Sequence, residues 1–335
     1  MVTLTFYEEP PEGLFQSSAR DLHTRLPGPT IVRVPGTVEP PVFVSVLLHG
    51  NETSGWSALC QHLQEYPIPY RTLIVLIGNV AAAAAGVRSL PQQSDFNRIW
   101  KSTSGDESVM AADALSLIAT LNPMAALDIH NNTGRNPHYS VLTELTPESC
   151  GLAQLFAETA VFIEEPDTVL TRALQQICPS VAVEAGPVGD TRSDDRALLL
   201  LERFSRLESI PTAARSELKL HRSLCRVHLA DDISFDFADI SDVDRLSDDD
   251  LVLTAGMEGV NFHPVPAGTE LGVTRRPLNH VLHVLNSEHQ DVSAQYLSEE
   301  HGIITLKRSV IPAMYTTDHE VIRQDCLCYF MEGFE

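Results

Sequence analysis

The chain has 335 residues, enough for one large domain and a smaller one, with a sizeable buried core. Its 45 acidic against 23 basic residues give a formal charge of -22, which argues against nucleic-acid partners, since phosphate binding needs clustered Lys and Arg. No run of roughly 20 apolar residues marks a membrane span, and the N-terminal MVTLTFYEEPPEG has no basic segment leading into an apolar one, so a cytoplasmic protein without membrane partners is expected.

Three apolar stretches, Val42 to Leu48, Thr72 to Ile77 and Met124 to Ile129, read as buried strands of a mainly parallel sheet. Helical patterns lie between them, including Gly55 to Glu65 and Ser108 to Leu121. This alternation predicts an α/β fold with a mixed, mainly parallel sheet flanked by helices. The five alanines Ala81 to Ala85 read as a turn of helix or a tight loop and receive no functional role. A further helical region is expected around Gly151 to Glu164, followed by a fourth strand, Ser180 to Val183.

From Ala230 to Asp250 the composition shifts to nine aspartates, without the Gly and Glu placement of an EF-hand loop, and reads as a solvated linker or edge. Beyond Leu251, short alternating segments (LVLTAG, TELGVTR, VLHVLN, GIITLKRSV, CLCYF) predict a small all-β domain. The expected division is therefore 1–229 and 230–335. The six cysteines are dispersed and form no CxxC pair, so reduced, mostly buried thiols are expected, with Cys326 and Cys328 as core neighbours on one strand face.

The chemistry concentrates at strand ends. In VFVSVLLHGNETSG a buried strand runs into His49-Gly50-Asn51-Glu52; an imidazole and a carboxylate three apart at a strand-to-helix turn can face one ion, and that pair suits zinc. Gly50 lets the turn close. With 24 glutamates and 13 histidines, chance alone gives about one such spacing, and a second occurs at His62 and Glu65, inside a predicted helix. Context separates the two, because sites in open α/β sheets form beyond the carboxyl ends of strands.

AALDIHNNTG delivers His130 to the same edge, where it serves either as a third ligand or as a polar strand-end residue bonded to backbone. Asp128, two residues earlier, points the same way and can orient the His130 imidazole. Glu184 follows the next apolar strand, where a lone carboxylate is ordinarily just solvated; as the fourth acid or imidazole delivered to this edge, it is the candidate for the base that metal-assisted hydrolysis requires. Arg88, Asn97, Arg98 and Arg172 are the polar residues available for a polarised carbonyl and an anionic substrate, the alternative for each arginine being an ordinary surface position.

Taken in order, HGNE, the GN pair followed by Arg88, DFNR, DIHNNTG and VEAG resemble the succinylglutamate desuccinylase/aspartoacylase branch of the M14 metallocarboxypeptidase superfamily, over most of residues 40 to 190. The resemblance implies a zinc carboxypeptidase-like domain holding one Zn2+ ion on His49, Glu52 and His130. It further implies Glu184 as general acid/base, Arg88 as the group that polarises the substrate carbonyl, and Asn97 with Arg98 as a clamp for a substrate carboxylate. Arg172, in TRALQQICPSVAVEAG, corresponds to an arginine contacting a second carboxylate, and the C-terminal β domain would narrow access and contribute Tyr315. Three departures are visible: Val80 follows Asn79 where the family often has proline, the interval from Arg88 to Asn97 is nine, about two longer than expected for aspartoacylase, and NNTGRNPHYS after His130 differs from the desuccinylase pattern. The expected reaction is amide hydrolysis of a small anionic N-acyl amino acid. A metallocarboxypeptidase acting on short peptides and a non-enzymatic binding protein with a degenerate site are the alternatives, and homo-oligomerisation is left open.

Overall fold

In the computed structural model, residues 2–102, 105–239 and 248–334 are described. They form two compact units, Met1–Asn132 with His138–Leu220, and Thr133–Pro137 with His221–Glu335.

The first unit is built on strands β1 (Thr5–Tyr7), β2 (Thr30–Val34), β3 (Val38–Val46), β4 (Arg71–Ile77), β5 (Ala126–Asn132), β6 (Tyr139–Leu142), β7 (Thr159–Phe162) and β8 (Ser180–Pro187). Their spatial order is β1-β2-β4-β3-β5-β8-β6-β7. The central run β4-β3-β5-β8 is parallel throughout, whereas β2 meets β4 and β6 meets β8 antiparallel. Valine and isoleucine fill these central strands because both faces are covered and β-branched side chains suit a pleated, buried surface. The expected mixed, mainly parallel sheet with flanking helices is therefore the fold observed.

Helix α1 (Ser54–Glu65) lies against one face: a Cβ on Gly55 would sit 2.9 Å from Val46 and 3.0 Å from Ile129. The opposite face carries a cluster of Phe43, Ile74, Leu76 and Ala126 under Phe96, Trp100 and helices α3 (Asp106–Leu121) and α5 (Leu170–Leu174). Between α1 and α3 sits the short helix α2 (Val80–Ala85), and α4 (Pro147–Gln154) and α6 (Thr191–Ser205) complete the set. The region read as helical around Gly151 to Glu164 is half right: α4 ends at Gln154, and β-branched Thr159 and Val161 then enter β7.

Alanine is a strong helix former, yet six residues alone would not hold a helix. Caps at both ends hold α2: the Asn79 Oδ1 accepts from the Ala82 N–H at 3.1 Å, and Gly86, at φ 70, closes the C-terminus on the Ala82 and Ala83 carbonyls.

The second unit contains strand β9 (Lys219–Leu229) from His221 onward, with β13 (Leu282–Asn286), β16 (Ile311–Ala313) and β17 (Cys328–Gly333) in one antiparallel layer. A five-stranded layer has the order β10 (Phe235–Ala238), β11 (Leu251–Thr254), β12 (Glu270–Thr274), β15 (Ile303–Leu306) and β14 (Leu297–Glu300). The five segments expected as strands after Leu251 all contain one. The unit takes in His221 onward, upstream of the boundary at 230 expected from composition, because β9 pairs with β13 and β17. Of the aspartate-rich stretch, 235–238 forms β10, and 240–247 lies outside the described residues. No disulfide links cysteines among the described residues, and Cys326 and Cys328 are both buried. No helix among the described residues is long and apolar enough to cross a membrane.

Candidate active site

Three parallel strands deliver the site residues to their carboxyl ends. Strand β3 stops at Val46 because Leu47 takes a left-handed backbone, φ 57, which turns the chain into His49-Gly50-Asn51-Glu52. The turn lies flat on α2: a Cβ on Gly50 would fall 2.2 Å from the Ala82 carbonyl carbon and the Ala83 nitrogen. Close backbone approach is thus what Gly50 provides, and the alanine run, given no role from its sequence, supplies the thin surface it presses on.

On β5 and β8, alternation and register place Asp128, His130 and Glu184 on one face, with Asp128 beside Ala182 and His130 beside Glu184. His49, Glu52 and His130 are all buried, and one nitrogen or oxygen from each lies within 4.8 Å of the others. The carboxylate of Glu52 bridges the two imidazoles, with Oε1 2.8 Å from His49 Nδ1 and Oε2 2.8 Å from His130 Nδ1. Each imidazole is backed on its far side by another carboxylate: His49 Nε2 lies 3.0 Å from Asp95 Oδ1, and His130 Nε2 lies 2.8 Å from Asp128 Oδ2. Ser45 in turn donates to Asp128 Oδ1 at 2.6 Å. Outer carboxylates of this kind fix ring orientation and leave Nδ1 directed inward.

The electrostatics follow. Burial alone would raise the Glu52 carboxyl, but the His49 and His130 rings hold it well below the usual carboxylate range. Against its burial, His130 is pushed well above the ordinary imidazole value by Asp128 and Glu52. Asp95, half-buried, is held well below the usual carboxylate range by His49, Arg88 and Arg98. Glu184 goes the other way: burial raises it to about 8, with His130 and Arg88 pulling down and Glu52 and Asp128 pushing up. Its Oε2 is shut off from solvent and has no hydrogen-bond partner among the described residues.

Arg88 reaches this cluster despite its distance in sequence from Asn97. A side-chain pair, Asn79 Nδ2 to Gln93 Oε1 at 2.8 Å, folds the intervening loop back, and Arg88 places Nη2 2.9 Å from Asp95 Oδ2 and Nη1 3.7 Å from Glu52 Oε1. Asn97 has two tasks: its Oδ1 caps α5 through the Leu170 N–H at 3.0 Å, and its Nδ2 lies 3.4 Å from His130 Nε2. Arg98 donates to the Asn97 carbonyl at 2.9 Å. Arg172 is directed to the backbone carbonyls of Ile163 and Glu164, 2.8 Å from each. Tyr315 belongs to the second unit, where it is buried in the apolar core with its ring against Phe237, and burial pushes its phenol well above the usual value. The competing His62 is buried in α1 with both ring nitrogens unpartnered among the described residues.

Two residues of this constellation were not singled out from sequence. Asp95 stands in the same DFNR stretch as Asn97 and Arg98, and a carboxylate two residues before them was the available signal. Asn131, next to His130, gave none.

A sequence model described as the succinylglutamate desuccinylase/aspartoacylase catalytic domain matches residues 39–207, just over half of the chain. The chain belongs to this family. It is accordingly a hydrolase of the deacylase type. No curated protein matches the chain in sequence. Among solved structures, a succinylglutamate desuccinylase/aspartoacylase from Rhodobacter sphaeroides is 15% identical, with 91% of this chain and 89% of that one covered at a TM-score of 0.56. A succinylglutamate desuccinylase from Vibrio cholerae is 16% identical, covering 90% and 85% at 0.55. Murine aminoacylase 3 is 16% identical, covering 89% and 97% at 0.54. At these identities the likeness concerns the fold, and it extends over both units.

Proposed function

We propose that this protein is a zinc-dependent deacylase that hydrolyses the amide of a small, anionic N-acyl amino acid. The observation that carries the reading is the Glu52 carboxylate set between two Nδ1 atoms, each imidazole braced by its own aspartate, with Glu184 beside them on the same sheet face. Two imidazoles and a carboxylate suit zinc, and three protein donors leave a coordination position open, as catalytic zinc sites require. His49, Glu52 and His130 would hold the ion, and the chemistry zinc supplies in such a site is Lewis acidity toward water and a carbonyl oxygen.

Glu184 takes the proton of the attacking water and returns it to the departing amine. Its Oε2, shut off from solvent and with no hydrogen-bond partner among the described residues, suits that exchange. Arg88 brings a guanidinium to the same point to stabilise charge developing on the carbonyl oxygen. Arg98, beside Asn97, binds the amino-acid carboxylate.

The test is a panel of N-acyl amino acids and dipeptides offered to the zinc-loaded wild type and to Glu184→Gln, with metal content measured on the purified protein. Cleavage of an acyl-amino acid, lost on chelation and lowered at least about 100-fold in the variant, is expected. Hydrolysis confined to dipeptides with release of the C-terminal residue would overturn the deacylase assignment, and a protein that neither contains nor responds to zinc would overturn the metal.

A further inference from the structure

Strands β5 and β8 pair regularly up to His130 and Glu184, and then the register slips: the next pair is Asn132 with Pro187, so Asn131 on one strand faces both Ala185 and Gly186 on the other. A bulge of this kind interrupts the ladder and leaves backbone groups in need of other partners. Here the interruption falls immediately beyond Glu184. Gly186, inside the bulge, has φ 121, a backbone that does not continue a regular strand.

Asn131 occupies the gap. It is 4% exposed, and its carboxamide makes three hydrogen bonds: Nδ2 donates to the Gly186 carbonyl at 2.8 Å and to Ser54 Oγ at 2.9 Å, while Oδ1 accepts from the Ser54 N–H at 3.1 Å. Its own N–H lies 3.3 Å from Glu52 Oε2. Ser54 follows Glu52 by two residues, Gly186 follows Glu184 by two, and Asn131 follows His130 directly. A single side chain therefore ties together the three segments that carry Glu52, His130 and Glu184.

We propose that Asn131 is a positioning residue whose carboxamide, standing in for the interrupted ladder, sets the place of Glu184 relative to His49, Glu52 and His130. The proposal rests on the reading of Glu184 as the acid/base. Removing the carboxamide releases the Gly186 carbonyl, and the strand end carrying Glu184 moves. The three metal-site side chains and the Asn131 N–H to Glu52 stay. Small misplacements of a catalytic group cost rate more than binding.

The experiment is a double-mutant cycle on the zinc-loaded full chain. Asn131→Ala is expected to lower kcat about 10- to 100-fold with KM changed less than about 3-fold, and to add less than about 3-fold in a Glu184→Gln background. Amide exchange at residues 185, 186 and 188 should accelerate about 10-fold or more in Asn131→Ala, with zinc or without it. Asn131→Leu keeps the approximate volume, adds no charge and can donate to neither Gly186 nor Ser54, and carries the same test if the alanine variant does not fold. Ser54→Ala keeps both the Gly186 bond and the Ser54 N–H bond, and should retain activity within about 3-fold. Wild-type kcat in both Asn131 variants, an equal loss in the Glu184→Gln background, or an equal loss in Ser54→Ala would each overturn the proposal while leaving the acid/base reading intact. Full activity in Glu184→Gln alone would overturn that reading, and this proposal with it.

Discussion

His130 Nε2 lies 2.8 Å from Asp128 Oδ2, and both side chains leave the same face of one strand. The aspartate fixes which nitrogen of His130 points inward and supports positive charge on the ring or beyond it. Asp128→Asn keeps the shape and removes the charge. Zinc affinity, measured by competition with a chromogenic chelator, should fall about 10- to 100-fold. An unchanged affinity would mean the ring is oriented by other contacts.

Asp95 does for His49 what Asp128 does for His130, but also pairs with Arg88 at 2.9 Å and accepts the Asn97 N–H at 2.7 Å. Asp95→Asn should therefore weaken zinc binding about as much as Asp128→Asn, within the same 10- to 100-fold range, and lower kcat of the fully loaded protein as well. Activity restored completely by excess zinc would show that the Arg88 contact contributes nothing to the reaction.

Glu184 sets a pH dependence in the metal-free protein. Its carboxyl titrates near 8 in the folded state, against an ordinary value of 4.5. Below the ordinary value both states are protonated and the group is neutral to stability. As pH rises from there toward 8 only the unfolded chain ionises, so stability drains away across that window. Glu184→Gln, which cannot ionise, should raise the Tm of chelated protein at pH 8 by about 3–8 °C and leave it nearly unchanged at pH 4. Calorimetry at the two pH values decides the matter; equal shifts at both would place the effect in packing rather than ionisation.

Gly50→Ala places a methyl group where the α2 backbone already stands, 2.2 Å from two of its atoms. Backbone cannot rotate aside as a side chain can, so the turn or the helix must shift. A loss of about 3 kcal/mol in denaturant unfolding is expected, with weaker zinc binding because His49 and Glu52 flank the displaced residue.

Much of this was legible in the sequence because burial writes itself in composition: continuous apolar runs marked β3, β4, β5 and β8, and the polar residues ending them marked the edge where the site lies. His49 was told from His62 on that ground alone, and His62 indeed lies buried within α1. Strand β7 was lost because four residues after a helix carry too short a period to separate from it. Asp95 and Asn131 act through partners 46 residues away at His49 and 55 away at Gly186. No local pattern reports that kind of contact. The direction of Arg172, toward the Ile163 and Glu164 carbonyls, depends on how α5 meets the chain before it, and spacing does not record this either.

The alanine run of α2 shows that a stretch can be monotonous in letters and still tightly specified in thickness. Ala82 and Ala83 are buried under the Gly50 turn, whereas Ala81 and Ala85 face outward. What is held constant there is an absence of bulk at two points of one helical turn: a shim whose depth determines how far His49 and Glu52 stand from the sheet edge that carries His130.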